Sequence, residues 1–215
     1  MQVNELWRYP VKGIRGERLP RARLGEGGVE GDRVVRIVGN GKRISARTVP
    51  RLLGLEGMLG EDGQPRIDGA RWDEPAALEA VRQLAGVDAE LIRDDTVHRF
   101  DAAPILLTTD GALEALGEDR RRFRPNLVVT GVEGLAERDW VGKRLRAGSA
   151  ELLAIQSCER CLVTTIDPDS LEIEPRILIR IRDEFDALMG VYCQVAVPGE
   201  IAEGDDVELV DGAAG

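Results

Sequence analysis

Histidine occurs once in this 215-residue chain and cysteine three times, and there is no run of eighteen or more apolar residues. Each shortage excludes something. Cys158 and Cys161 have the CxxC spacing of half a zinc site, but no second CxxC follows and the only histidine is His98, so structural zinc is not expected. Three cysteines make no disulfide framework, and reduced thiols are expected. Without a long apolar run no membrane partner is expected. The opening Met1-Gln2-Val3-Asn4-Glu5 lacks the basic and apolar regions of a signal peptide, which points to a cytoplasmic protein. Basic residues are also short, 29 against 39 acidic ones, and a net charge of −10 argues against nucleic acid, whose binding requires phosphate neutralisation.

What is present is a composition of 43% hydrophobic and 32% charged residues, that of a globular chain long enough to bury a core without staples. Its cations are unevenly spread. Lys12, Arg15, Arg18, Arg21 and Arg23 form one knot, and Arg120, Arg121, Arg122 and Arg124 a second. Solvated surface is the ordinary reading of such charges, yet two knots in an acidic chain suit a small anionic ligand better than a polymer.

Short strands dominate the pattern. Residues 2–9 read as a strand stopped by Pro10, and Gly39-Asn40-Gly41-Lys42 is a hairpin signal between two more. A short helix is expected at 51–53, a loop around 60–69, and helices at 75–84, from Thr109 or Asp110 to 116, and at 180–189; strands are expected at 88–93, 104–108, 126–130, 144–146, 151–156, 191–197 and 207–210. Leu162–Ile166 reads as β structure, which argues against a thioredoxin-type CxxC at a helix start. The composition shifts near Asp94-Asp95-Thr96, dividing the chain into residues 1–95 and 96–215. The expected class is α+β, mainly β: a barrel or strongly bent sheet with peripheral helices.

The centre of the chemistry is the segment from Ser157 to Pro168, where Glu159 and Arg160 separate Cys158 from Cys161. A thiolate is a soft ligand or a nucleophile, and a flanking guanidinium favours the charged form of either sulfur. Without further context a lone cysteine is a small core residue, which is the reading kept for Cys193. Trp7, Trp72 and Trp140 are expected as core or rim anchors.

Several segments in order resemble the MOSC family, named for the C-terminal domain of molybdenum-cofactor sulfurase: Tyr9-Pro10-Val11-Lys12, Gly31-Asp32-Arg33, Ala46-Arg47, Phe123-Arg124-Pro125-Asn126, Cys158-x-Arg-Cys161 with Thr164-Thr165-Ile166-Asp167-Pro168, and Pro198-Gly199 with Gly204-Asp205. The resemblance implies a MOSC-type β-barrel after a smaller N-terminal barrel-like half. It also implies a molybdenum cofactor, a pterin whose dithiolene binds the metal and which ends in a phosphate. Cys161 matches the metal-ligating, catalytic cysteine. Lys12, Gly13, Arg33, Arg47, Thr109, Arg124, Asn126 and Arg160 match or adjoin cofactor contacts, with Thr108 a further one. Gly13 and Glu159 stand where the amidoxime-reducing members carry serine. The implied activity is reduction of small N-oxygenated substrates, with electrons from a separate ferredoxin- or flavoprotein-type donor. The alternative is a non-enzymatic cofactor carrier or a persulfide module built on Cys161; a third is a degenerate member that binds nothing.

Overall fold

A computed structural model describes residues 1–96 and 99–210; His98 lies outside them. The first half opens with β1 (Gln2–Arg8), β2 (Glu17–Leu19), β3 (Arg21–Gly25) and β4 (Gly28–Val29), then the hairpin of β5 (Val35–Gly39) and β6 (Lys42–Ile44). Its turn residues Asn40 and Gly41 both have positive φ, 50° and 70°, which a tight two-residue hairpin turn requires. A 3-10 turn at Pro50–Gly54 stands where a short helix is expected. In place of a plain loop the chain then makes a small meander of β7 (Gly57–Leu59), β8 (Pro65–Ile67) and β9 (Ala70–Arg71); strands this short carry too little alternation to read. Helix α1 (Pro75–Ala85) has proline in its first turn and buries Ala77 and Val81. β10 (Ala89–Arg93) returns beside β5.

The second half contains β11 (Ile105–Thr109), α2 (Asp110–Leu116), β12 (Leu127–Thr130), β13 (Arg144–Ala147), β14 (Ala150–Glu159), α3 (Pro175–Phe185), β15 (Leu188–Val197), β16 (Gly199–Ala202) and β17 (Val207–Val210). Helix α3 begins five residues before the expected start. Pro175 opens it, Ile177, Ile181 and Phe185 bury one face, and Asp186 at φ 53° ends it. Leu162–Thr165 is a 3-10 turn rather than a strand. Both threonines explain this, because the Thr164 and Thr165 hydroxyls donate to the Cys161 and Leu162 carbonyls at 2.8 and 2.6 Å, a local bond that competes with strand pairing.

Eight strands form one sheet in the order β17-β13-β14-β15-β11-β12-β1-β2, antiparallel except for β11 beside β12. Among the described residues its end strands do not pair, so the mainly-β class holds without a closed barrel. The halves interleave. β1 and β2 extend the second half's sheet, with Leu6 opposite Leu127, and β3 pairs with β16. Ala22, Leu24 and Ile201 from that smaller sheet share a core with Leu107, Leu127, Leu152, Val191 and Cys193. Val11, Ile14, Val35, Leu52, Ile67 and Val81 form a second core in the first half. A small cluster of Ala46, Leu53 and Ile166, flanked by Val163 and Leu171, joins the halves next to the cysteine segment.

Candidate functional site

The site begins with the way β14 ends. Its pairing with β15 slips between Ala154 and Gln156 and again between Ser157 and Glu159, and such bulges re-aim side chains at a strand's end. Cys158 is thereby buried, 2% exposed. The chain then leaves the sheet, Arg160 N donates to the Ala187 carbonyl at 2.8 Å, and Cys161 becomes the residue preceding the 3-10 turn. Its side chain makes no capping bond there, and it is half-buried, facing a cleft of about 160 Å³ between the two halves.

Seven lysine or arginine residues line that cleft against two acids, Asp101 and Glu159. Lys12, Arg33, Arg43 and Arg47 come from the first half; Arg122, Arg124 and Arg160 come from the second. Asp101, on the link between the halves, accepts from Lys12 Nζ at 2.8 Å and lies 3.7 and 3.5 Å from Arg43 and Arg47. Burial pushes its carboxyl up, but the Lys12 hydrogen bond and the Arg47 and Arg33 charges outweigh this and hold it below the usual carboxylate range. Burial lowers Lys12, with Asp101 only partly opposing it. Burial also disfavours the Arg47 cation, but attraction to Cys161 and Asp101 raises its pKa overall. Arg47 and Cys161 line the same cleft. Arg160 instead donates from Nη1 to the Cys158 sulfur at 3.1 Å and from Nη2 to the Phe123 carbonyl at 2.7 Å, and its buried Nε has no partner.

Tyr9 organises the opposite wall. Arg33 and Arg124 place their guanidiniums 4.9 and 4.3 Å from its ring centroid. Both arginines have left-handed backbones, φ 55° and 54°, a conformation that costs a non-glycine residue about 1–3 kcal/mol. Tyr9 N donates to Asp32 Oδ1 at 2.7 Å and its hydroxyl to the Pro125 carbonyl at 3.0 Å. Asp32 is fully buried and pairs with Arg33. Asn126 accepts from Arg33 and from Leu106 N at 3.1 and 3.2 Å and donates to the Trp7 carbonyl, so it positions Arg33 while lining the cleft. Among the described residues Arg124 has no hydrogen bond or ion pair. Burial, with repulsion from Arg33 and against attraction to Tyr9, pulls it down to about 10.

The sequence-predicted residues Lys12, Gly13, Arg33, Arg47, Arg124, Asn126, Arg160 and Cys161 meet in this cleft. Gly13 has φ 96°, and a Cβ there would lie 3.1 Å from Ser45 Cα, so a serine would be strained at this position. Glu159 also lines the cleft, although its side chain is exposed. Thr108 and Thr109 stand apart. Both are buried, and the Thr109 hydroxyl caps α2 through Ala112 N at 3.2 Å and donates to buried Glu137 at 3.0 Å. The two cationic knots also separate. Arg18 pairs with Glu5 and Glu203, Arg120 with Glu5, and Arg121 with Asp119 and Asp169, while Arg122, although in the wall, is held by Glu118, Asp167 and Glu174. Sequence reasoning passed over Asp101, Arg43 and Tyr192, which lines the cleft with its phenol beside Cys158. Tyr9 carried a signal in Tyr9-Pro10-Val11-Lys12; Asp101 carried none.

Comparison with known proteins agrees with this geometry. The MOSC domain family model matches residues 94–208, and the MOSC N-terminal beta barrel domain model matches residues 1–108. Mitochondrial amidoxime-reducing component 1 of Xenopus laevis is 34% identical over 141 residues, 56% of this chain and 40% of that protein. The human protein of the same name is 30% identical over 142 residues, 57% of this chain and 42% of that protein. The matched part thus spans about two fifths of these relatives. The crystal structure of the YUAD protein from Bacillus subtilis covers 98% of this chain and 96% of its own at a TM-score of 0.55 and 15% identity, a likeness of fold alone.

Proposed function

Because this chain belongs to the MOSC family, we propose that its cleft holds a molybdenum cofactor and that the loaded protein reduces small N-oxygenated substrates. The observation that carries this reading is one half-buried thiol, Cys161, in a cleft with seven cations, within a chain of net charge −10. The residues fit such a group. Arg124 lacks a counter-ion and Arg160 Nε lacks an acceptor, both in the cleft wall, and buried donors without partners favour an anionic ligand. Among the described residues no three His, Cys, Asp or Glu side chains are grouped for a metal. A metal at Cys161 would take one protein thiolate and bring its remaining ligands with it, as a sulfur-rich cofactor does.

In this reading Cys161 ligates the metal, with the Arg47 cation in the same cleft. Lys12, Arg33 and Arg124 hold the anionic pterin and phosphate, Tyr9 and Asn126 keep the two arginines in place, and Gly13 admits close approach through its backbone N–H. The bound cofactor supplies the two-electron oxygen-transfer chemistry. Electrons come from a separate donor protein. The names of the curated relatives support the amidoxime-reducing activity.

The test is elemental molybdenum analysis on protein from a cofactor-producing host, followed by turnover of an N-hydroxylated substrate with an artificial reductant. Near-stoichiometric metal is expected, lost in Cys161→Ala and largely kept in Cys158→Ala. Equal losses would reassign the ligand. Full loading without turnover would leave a carrier, and no metal with a persulfide on Cys161 would favour sulfur handling, which the Arg47 cation in the same cleft would also serve.

A further inference from the structure

Behind the cleft lies a second cavity, of about 180 Å³, which shares Arg122, Arg124 and Val163 with it. Its character differs. Trp7, Tyr9, Leu53 and Pro168 supply aromatic and aliphatic walls. Gly16 lets the backbone pack directly against the Tyr9 wall, since a Cβ at that position would lie 2.3 Å from the Tyr9 ring. No acid lines it among the described residues, although four arginines do. Two of these are spent, Arg121 on Asp119 and Asp169, and Arg122 on its three carboxylates. Two remain. Arg15 donates from Nη2 to the Pro168 carbonyl at 2.7 Å, but its buried Nε has no partner. Arg124, free of any carboxylate, spans both cavities.

We propose that this second cavity binds a small aromatic carboxylate, its ring between the apolar walls and its charge held by Arg15 and Arg124. An apolar cavity of about 150 Å³ is enough for benzene, so the space suits one substituted ring. Guanidinium forks match a carboxylate's two oxygens, and a pocket with apolar walls and a few convergent polar groups is the general form of a small-molecule site. Because Arg124 belongs to both cavities, an anion in one alters the charge available to the other. This assignment does not rest on the identity of what the Cys161 cleft holds, although Arg124 is shared with it.

Titration calorimetry of the purified full chain with benzoate and with benzamide tests this. Saturable benzoate binding is expected, at least tenfold tighter than benzamide. Arg15→Gln should weaken benzoate about tenfold, about 1.4 kcal/mol, and Arg47→Gln, which alters only the Cys161 cleft, should not. Since Arg15 also holds Pro168, Arg15→Lys is the companion variant; it keeps the charge, loses the fork and should fall between wild type and Gln. Equal affinity for benzamide, no saturable binding, or a loss that follows Arg47 instead of Arg15 would overturn the proposal.

Discussion

Arg33 and Arg124 combine two costs, a left-handed backbone and a cation withdrawn from water, and only Arg33 has a carboxylate partner, buried Asp32. A side chain kept under those conditions serves something other than the fold. The two roles separate in Arg124→Gly, because glycine accepts a positive φ without penalty. Thermal unfolding of that variant is expected within about 1 kcal/mol of wild type or above it, while molybdenum content falls sharply. A large loss of stability would make Arg124 a structural residue. The thiols divide on the same grounds. Cys193 is sealed in the core, where burial pushes it up to about 12, and Cys158 is buried against Arg160, so Cys161 alone combines access with cations in the same cleft. CxRC spacing names two candidates; burial chooses between them.

At the level of elements, the reactive turn depends on what surrounds it. Slips in the β14 and β15 pairing and the bonds of two threonine hydroxyls convert an apparent strand into a 3-10 turn, and neither is visible as a hydrophobic period. α2 presents the opposite case, since a Thr109 or Asp110 cap is legible and Thr109 takes that role. Thr109→Ala is expected to cost about 0.5–2 kcal/mol as a lost cap and to leave molybdenum content unchanged. Its effect should depend on pH. Burial raises the Glu137 carboxyl, and the Thr109 hydrogen bond is among the contacts that lower it. Losing that bond raises the folded pKa further, so the ionised side chain is stabilised less. The deficit should therefore grow as pH rises and shrink to the cap term once Glu137 is protonated. Denaturant titrations at two pH values would show this, and a molybdenum loss in Thr109→Ala would return the residue to the site.

For the whole molecule, the division at Asp94 separates sequence better than it separates structure. β1 and β2 complete the large sheet, β3 pairs with β16, and Lys12 donates to both Arg99 and Asp101. Expressed alone, residues 96–215 would expose the β12 edge and the core face that Val3, Leu6 and Leu24 cover. We expect neither half to show a cooperative transition by itself and the intact chain to unfold in a single one. Two separate transitions by calorimetry would contradict this.

By itself the sequence determined the mainly-β class, the ends of α1 and α2, the Asn40-Gly41 hairpin and the family, because these rest on turn chemistry, short-range periodicity and motifs. It also supplied most of the cleft residues, carried by motifs that hold their order along the chain. Only the tertiary structure decided which cations share a cleft. Neighbours such as Arg120, Arg121, Arg122 and Arg124 take different partners, Glu5, Asp169, Asp167 and the Tyr9 ring, while Lys12 and Asp101, far apart in sequence, come within 2.8 Å. A charge's partner is set by where the sheets bring the chain together, and that long-range packing leaves no local signature to read.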